Sequence, residues 1–229
     1  MRVNFRDSYK KDDYIWYASY GSNMCRDRFL CYLEGGRPPG SSREERGCRD
    51  SSPPLKDKSI SIPYPLYFAH YSGRWKGGVA FIGHKKTRAE KVTLGRKYLI
   101  KKEQFREVLA QENSLSGILE EHIDYQELVK KGIKQTFKSL YGSLVYLGKY
   151  RDCLIFTFTS GQDLLSSENI SSPAVFSSPS ESYLQTLMKG LRETYSLTPD
   201  ELTSYFGGVP GVQGNYTREE LRRLALEVP

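Results

Sequence analysis

Histidine and cysteine, the residues that most often build metal and haem sites, are few and scattered in this 229-residue chain. The histidines are His70, His84 and His122. The cysteines are Cys25, Cys31, Cys48 and Cys153, with no C-x-x-C among them and no histidine close by in the usual ligand spacing. A structural zinc motif is thereby excluded, and no cofactor is expected. No apolar run approaches the ~20 residues of a membrane helix, so no membrane partner is expected either. The opening residues, Met1-Arg2-Val3-Asn4-Phe5-Arg6-Asp7, turn polar at once and lack the apolar core of a secretory signal. The expectation is a cytoplasmic chain with reduced thiols, in which the acceptor matches Asn169-Ile170-Ser171 and Asn215-Tyr216-Thr217 arise by chance.

What the chain has in excess is positive charge: 34 Lys and Arg against 27 Asp and Glu, a net +7. The surplus is central. Net charge is +3 over residues 1–60, +7 over 61–140 and −3 over 141–229. Between Gly83 and Arg106 stand nine Lys and Arg against Glu90 and Glu103, with aromatics only at Tyr98 and Phe105. No RNA-recognition or helix-turn-helix pattern accompanies the run, so a charged face of a sheet and helix is the plainer reading, and nucleic acid is weighed against as a partner.

At 38% hydrophobic residues the chain is long enough to bury one core, and it reads as a single domain over 1–229. The pattern predicts a first strand over 14–19 and a short amphipathic helix. A Gly-, Pro-, Ser- and Arg-rich stretch over about 34–63 then reads as a long surface loop. Strands follow at 66–71, 79–82 and 91–100, the last broken by Gly95, which suggests a bulge or a close backbone approach. A helix is expected from Lys102 to about Glu112, then a polar, partly helical stretch to Lys138. A hairpin joins 144–148 to 154–159, and 160–180 is serine-rich and irregular. A helix then carries Leu184, Leu187, Met188, Leu191 and Tyr195, followed by two capped helices opening at Thr198 and Thr217. The glycine-rich stretch 207–214 fits neither G-x-G-x-x-G nor P-loop spacing. The fold class expected is α+β.

Two segments carry chemistry. Tyr20-Gly21-Ser22-Asn23 closes the first strand, where a glycine turn can present successive N–H groups to a carboxylate or oxyanion. The plain alternative is a strand-to-helix turn with Asn23 as an N-cap. Ser22 lacks the G-x-S-x-G context and a histidine base, which weighs against covalent serine catalysis. In the second segment, Phe105, Val108 and Leu109 form an apolar stripe, on which Glu112 lies while Glu107 does not. A carboxylate on that face loses solvation, which suits a general base near neutral pH; the alternative is a frayed last turn in solvent.

These residues resemble a known family. Tyr17-Ala18-Ser19-Tyr20-Gly21-Ser22-Asn23-Met24 resembles the opening motif of the γ-glutamylcyclotransferase-like proteins. In the family's order, Trp75-Lys76-Gly77-Gly78-Val79-Ala80 resembles its W-x-G-G strand entry. Leu109-Ala110-Gln111-Glu112 resembles the segment holding its catalytic glutamate, and Pro179-Ser180-Glu181-Ser182-Tyr183 its P-S-x-x-Y. Ala18 and Ser19 depart from the usual Phe and Ala, Asn113 replaces a frequent Gly, and Phe156 stands about where some members place a second tyrosine.

The resemblance implies a small mixed β-barrel with peripheral helices. It also implies cyclisation of a γ-glutamyl amide to 5-oxoproline with release of an amine or amino acid, without metal. Glu112 is implied as the general acid/base, and Tyr17, Tyr20, Gly21, Ser22, Asn23 and Tyr183 as substrate-binding residues. The partner expected is a small γ-glutamyl molecule, with the oligomeric state left open. A non-enzymatic module binding a small anion in the same place is the alternative.

Overall fold

The computed structural model describes residues 11–38, 43–87, 92–115, 123–165 and 176–228. The Asn169–Ser171 match and Arg88, Glu90 and Lys91 of the basic run lie outside them.

β1 (Tyr14–Ser19) is the pivot. It pairs antiparallel with β5 (Thr93–Lys101), from Tyr14 opposite Lys101 to Ser19 opposite Arg96, and parallel with β8 (Cys153–Thr159). Nearly every residue of β1 is buried, because both of its faces are covered. Trp16 and Ala18 join a core with Leu99, Ile155 and the helix α4 (Glu181–Tyr195). Ile15 and Tyr17 join another with α1 (Arg26–Glu34) and α2 (Lys102–Glu112).

The full sheet runs β2-β5-β1-β8-β7-β6, with β2 at Lys56–Ile62, β6 at Ile133–Gln135 and β7 at Ser143–Tyr150. β7 and β8 form the expected hairpin, turning through Arg151 and Asp152, both at positive φ. β3 (Leu66–Ser72) and β4 (Gly77–Ile82) make a separate two-stranded ribbon. It meets the sheet through a side chain: Thr159 Oγ1 donates to Ile82 O at 2.7 Å and accepts from Ile82 N at 3.1 Å. Among the described residues no ladder joins ribbon to sheet, so the assembly is an α+β sheet and ribbon with that side-chain bridge where a closed barrel would carry backbone bonds. Helices α3 (Tyr125–Lys131), α5 (Pro199–Gly207) and α6 (Arg218–Glu227) complete the layers, the last two opened by the expected Thr198 and Thr217 capping boxes. No described helix is long and apolar enough to cross a membrane.

The expectation of one long surface loop over 34–63 is corrected in two ways. Residues 56–62 are strand β2, in antiparallel register from Lys56 opposite Leu99 to Ile62 opposite Thr93. The part before it docks on α2: Gln104 Nε2 donates to Asp50 O (2.9 Å) and Ser52 O (2.8 Å), and Gln111 Nε2 reaches Cys48 Sγ at 3.9 Å. Glu107, off the apolar stripe as expected, is nonetheless buried, accepting from the backbone N and Nε of Arg49 at 2.8 Å each. The polar face of α2 is therefore an interface, with hydrogen bonds replacing apolar contact.

Gly95 marks a close approach and not a bulge. Its pairing with Ile60 is in register, and a Cβ there would lie 2.6 Å from Ser19 O. The glycine-rich stretch 207–214 is a packing device: Phe68 N donates to Pro210 O, and Gly211 at φ +94 lies against Phe68.

Candidate active site

A cavity of about 440 Å³ opens where the end of β1, the start of α4, the end of α2 and the β3–β4 turn converge. Tyr17, Tyr20, Gly21, Ser22, Asn23, Glu112 and Tyr183 all line it.

After Ser19 the chain leaves the sheet, and Tyr20 anchors the exit by donating its hydroxyl to Phe158 O at 2.7 Å. Ser22–Met24 then forms one 3₁₀ turn leading into α1. Tyr98 OH holds that turn from below, 2.8 Å from Asn23 O. Gly21 adopts φ −106, so handedness does not require glycine here, and a Cβ would meet Tyr183 OH at an ordinary contact distance of 3.4 Å. The N–H groups of Gly21, Ser22 and Asn23 find no acceptor among the described residues. Ser22 Oγ accepts from Arg28 Nε at 2.9 Å, an arrangement that holds the turn and offers the hydroxyl no base.

Glu112 closes the opposite wall. It is half-buried, and Asn23 Nδ2 donates to its Oε1 at 2.7 Å. Burial raises its pKa above the ordinary glutamate value, against the lowering pull of Arg28, Arg74 and the Asn23 hydrogen bond. As the last residue of α2 it also meets the negative end of the helix dipole, which acts in the same direction as burial. Its charge is felt by Tyr17, Tyr32, Tyr141 and Tyr183, whose hydroxyls are all held above their usual range chiefly by burial.

Tyr183 enters from α4, whose Ser180 cap accepts from Tyr183 N. Its hydroxyl accepts from Ala80 N at 3.2 Å, which leaves its own proton available. Two glycines permit this approach. A Cβ on Gly78 would lie 2.1 Å from Ser177 O, and one on Gly77 2.7 Å from Ser180 N. Further along α4, Gly190 seats against the 3₁₀ turn, where a Cβ would lie 2.5 Å from Met24 Cβ.

Sequence reasoning missed the charged wall beside Glu112. Arg74 Nη1 and Nη2 grip both oxygens of Glu45 (2.6 and 3.3 Å), and Arg28 Nη2 lies 3.8 Å from Glu45 Oε1. Tyr32 OH accepts from Arg74 at 3.0 Å, and the Arg28 guanidinium lies 4.8 Å from the Trp75 ring centroid. Phe156 lies in the core, and the cavity's further tyrosines are Tyr32 and Tyr141. Asn113 holds Tyr141, accepting from its backbone N at 2.8 Å, which gives the residue after Glu112 a positioning role. Among the described residues no group of three or more His, Cys, Asp or Glu is placed to hold a metal ion.

No family model matches the chain. It is 35% identical over 200 residues to histone deacetylase 5 of Arabidopsis thaliana, a match covering 83% of this chain and 30% of that protein, so the chain spans less than a third of that relative. Solved structures similar to it include an uncharacterized protein from Homo sapiens (15% identity, 94% of this chain and 99% of that one, TM-score 0.46). A gamma-glutamyl cyclotransferase follows (16%, 93% and 99%, TM-score 0.42). A third is a yeast gamma-glutamyl cyclotransferase specific to glutathione (15%, 89% and 99%, TM-score 0.37).

Proposed function

We propose that this chain is a γ-glutamylcyclotransferase-type enzyme, converting a γ-glutamyl amide to 5-oxoproline and a free amine or amino acid. The observation that carries the reading is the placement of Glu112 across one cavity from the Tyr20–Asn23 turn, joined to it by the Asn23 hydrogen bond. The motif resemblance, spread from β1 to α4, supports the same reading. The histone deacetylase relative supports no choice of chemistry, because the chain spans so little of it.

In this reading the substrate's α-amine attacks its own γ-carbonyl and closes a five-membered ring. No protein nucleophile is needed, and a favourable intramolecular geometry supplies roughly 7–11 kcal/mol of the barrier reduction. Near neutral pH the α-amine is mostly an ammonium and must lose a proton. Glu112, half-desolvated with its carboxylate proton affinity raised, takes that proton and returns it to the departing amine. The N–H groups of Gly21, Ser22 and Asn23 receive the substrate carboxylate or the oxyanion, and the free proton of Tyr183 orients the γ-glutamyl portion.

The test is release of 5-oxoproline from γ-glutamyl dipeptides and γ-glutamylamines by the purified chain. Glu112→Gln, still folded, is expected to lose about 10²–10⁴-fold in rate. Full activity in that variant overturns the assignment of the base. If the unmodified chain binds such molecules and never turns them over, the cavity serves a binding module instead.

A further inference from the structure

On the far side of β5 from Glu112, a second and more open cleft of about 480 Å³ is lined by Asp57, Lys58, Ser59, Lys97, Tyr150, Glu193 and Thr194. Lys97 is only 6% exposed, yet no carboxylate or carbonyl among the described residues accepts from its ammonium. Its Nζ lies 3.9 Å from the Tyr150 ring centroid and 5.3 Å from that of Trp16, aromatic faces that hold the charge without neutralising it. The β2–β5 register sets Lys58 directly opposite Lys97, a like-charged cross-strand pair that opposes strand pairing when nothing lies between the charges. The two acids nearby do not relieve it. Asp57 accepts from Arg96 Nε and Nη2 (2.9 and 2.7 Å), and Glu193 accepts from Arg96 Nη1 (2.9 Å) and Arg26 N (3.0 Å). Burial, and secondarily the Lys58 charge, pulls the Lys97 ammonium below the usual lysine range.

A buried cation with unused donors, paired with a second cation on the neighbouring strand in the wall of an open cleft, is the arrangement an anion resolves. We propose that this cleft is a binding site for a phosphate group, seated between Lys97 and Lys58 and separate from the Glu112 cavity. Lysine suits phosphate because it acts as a compact point charge, and two lysines match a dianion. Occupancy cancels the repulsion between β2 and β5, so the anion stabilises the folded chain by mass action.

The experiment is thermal unfolding of the whole chain against rising inorganic phosphate, with sodium chloride and sodium acetate at equal ionic strength as separate arms. The expected result is a saturable rise in Tm with phosphate beyond that with chloride or acetate. Lys97→Met keeps the aliphatic stem between the rings and is expected to weaken phosphate binding about tenfold or more, and exposed Lys58→Ala to weaken it less. Neither variant changes 5-oxoproline release. Equal stabilisation by phosphate and chloride would mean screening of the +7 charge and overturns the site. So does a phosphate effect retained in both lysine variants and lost in Arg28→Met, which would move the anion to the Glu112 cavity. Equal stabilisation by acetate keeps an anion site but overturns the choice of phosphate. A free ion is distinguished from the phosphate of a larger molecule by competing inorganic phosphate with a nucleoside monophosphate: preference for the latter assigns the larger ligand.

Discussion

Asn23 Nδ2 donates to Glu112 Oε1 at 2.7 Å, while the Oδ1 of the same amide is buried without a partner among the described residues. A carboxylate can only accept, so Glu112 fixes which way the amide faces and leaves a carbonyl oxygen beside the base with nothing to receive. An incoming N–H satisfies it. Asn23→Ala is expected to lower kcat/KM for 5-oxoproline release about 10–100-fold. Because the hydrogen bond from Asn23 lowers the Glu112 pKa, the acid limb of the pH–rate profile is also expected to move to higher pH. An unmoved limb with the same loss would assign Asn23 to substrate contact alone.

Burial of Glu112 has a stability consequence as well. Its pKa is raised on folding, so the folded chain holds that proton more tightly, and ionisation costs stability as pH rises through the ordinary glutamate value and above. Glu112→Gln removes the cost. The Tm difference between variant and parent is therefore expected to favour the variant more at pH 7 than at pH 4. A difference independent of pH would place the carboxylate in solvent.

Glu45 is 5% exposed and serves two arginines. Glu45→Gln leaves their charges unbalanced in a half-dry wall, and a loss of about 3–5 kcal/mol is expected by denaturant unfolding. Glu45 also raises the Glu112 pKa, so whatever activity survives should show its acid limb shifted down, opposite in sign to Asn23→Ala.

Gly78→Ala tests the crossing that delivers Tyr183. With Ser177 O only 2.1 Å from the new Cβ, the backbone must shift, at about 1–3 kcal/mol, and 5-oxoproline release should fall with it. Gly208→Ala, where nothing lies within 4 Å, is the neutral control. Equal stability of the two variants would show that the 177–180 segment yields without cost.

Much of the frame was legible because its helices obey period and its central strands are rich in aromatic and β-branched residues. Apolar spacing located α4, aromatic and β-branched runs located β1 and the β7–β8 hairpin, and the stripe Phe105, Val108, Leu109 on α2 aimed Glu112 at the interior without any structure. The wall of Arg28, Glu45 and Arg74 was not legible. Arg28 sits on a short helix where polar side chains ordinarily face water, and Glu45 lies in a stretch whose composition shows no period at all. Glu45 is carried to the two arginines by the docking of that stretch on Gln104, Glu107 and Gln111, polar positions that pattern alone assigns to solvent. Strand β2 escaped for a related reason: as the sheet's edge its residues are mostly exposed, and Lys56-Asp57-Lys58-Ser59 carries no apolar face.

α4 is fixed at two points, by Tyr183 near its start, which lines the cavity, and by Gly190, which is keyed against Met24. The helix therefore acts as a ruler whose two marks stand seven residues apart, close to two full turns. A single residue inserted between them would swing Tyr183 by about 100° around the axis while Gly190 stayed in its notch, carrying the hydroxyl away from Ala80 N and Gly21. The length of that interval therefore sets where the Tyr183 hydroxyl stands.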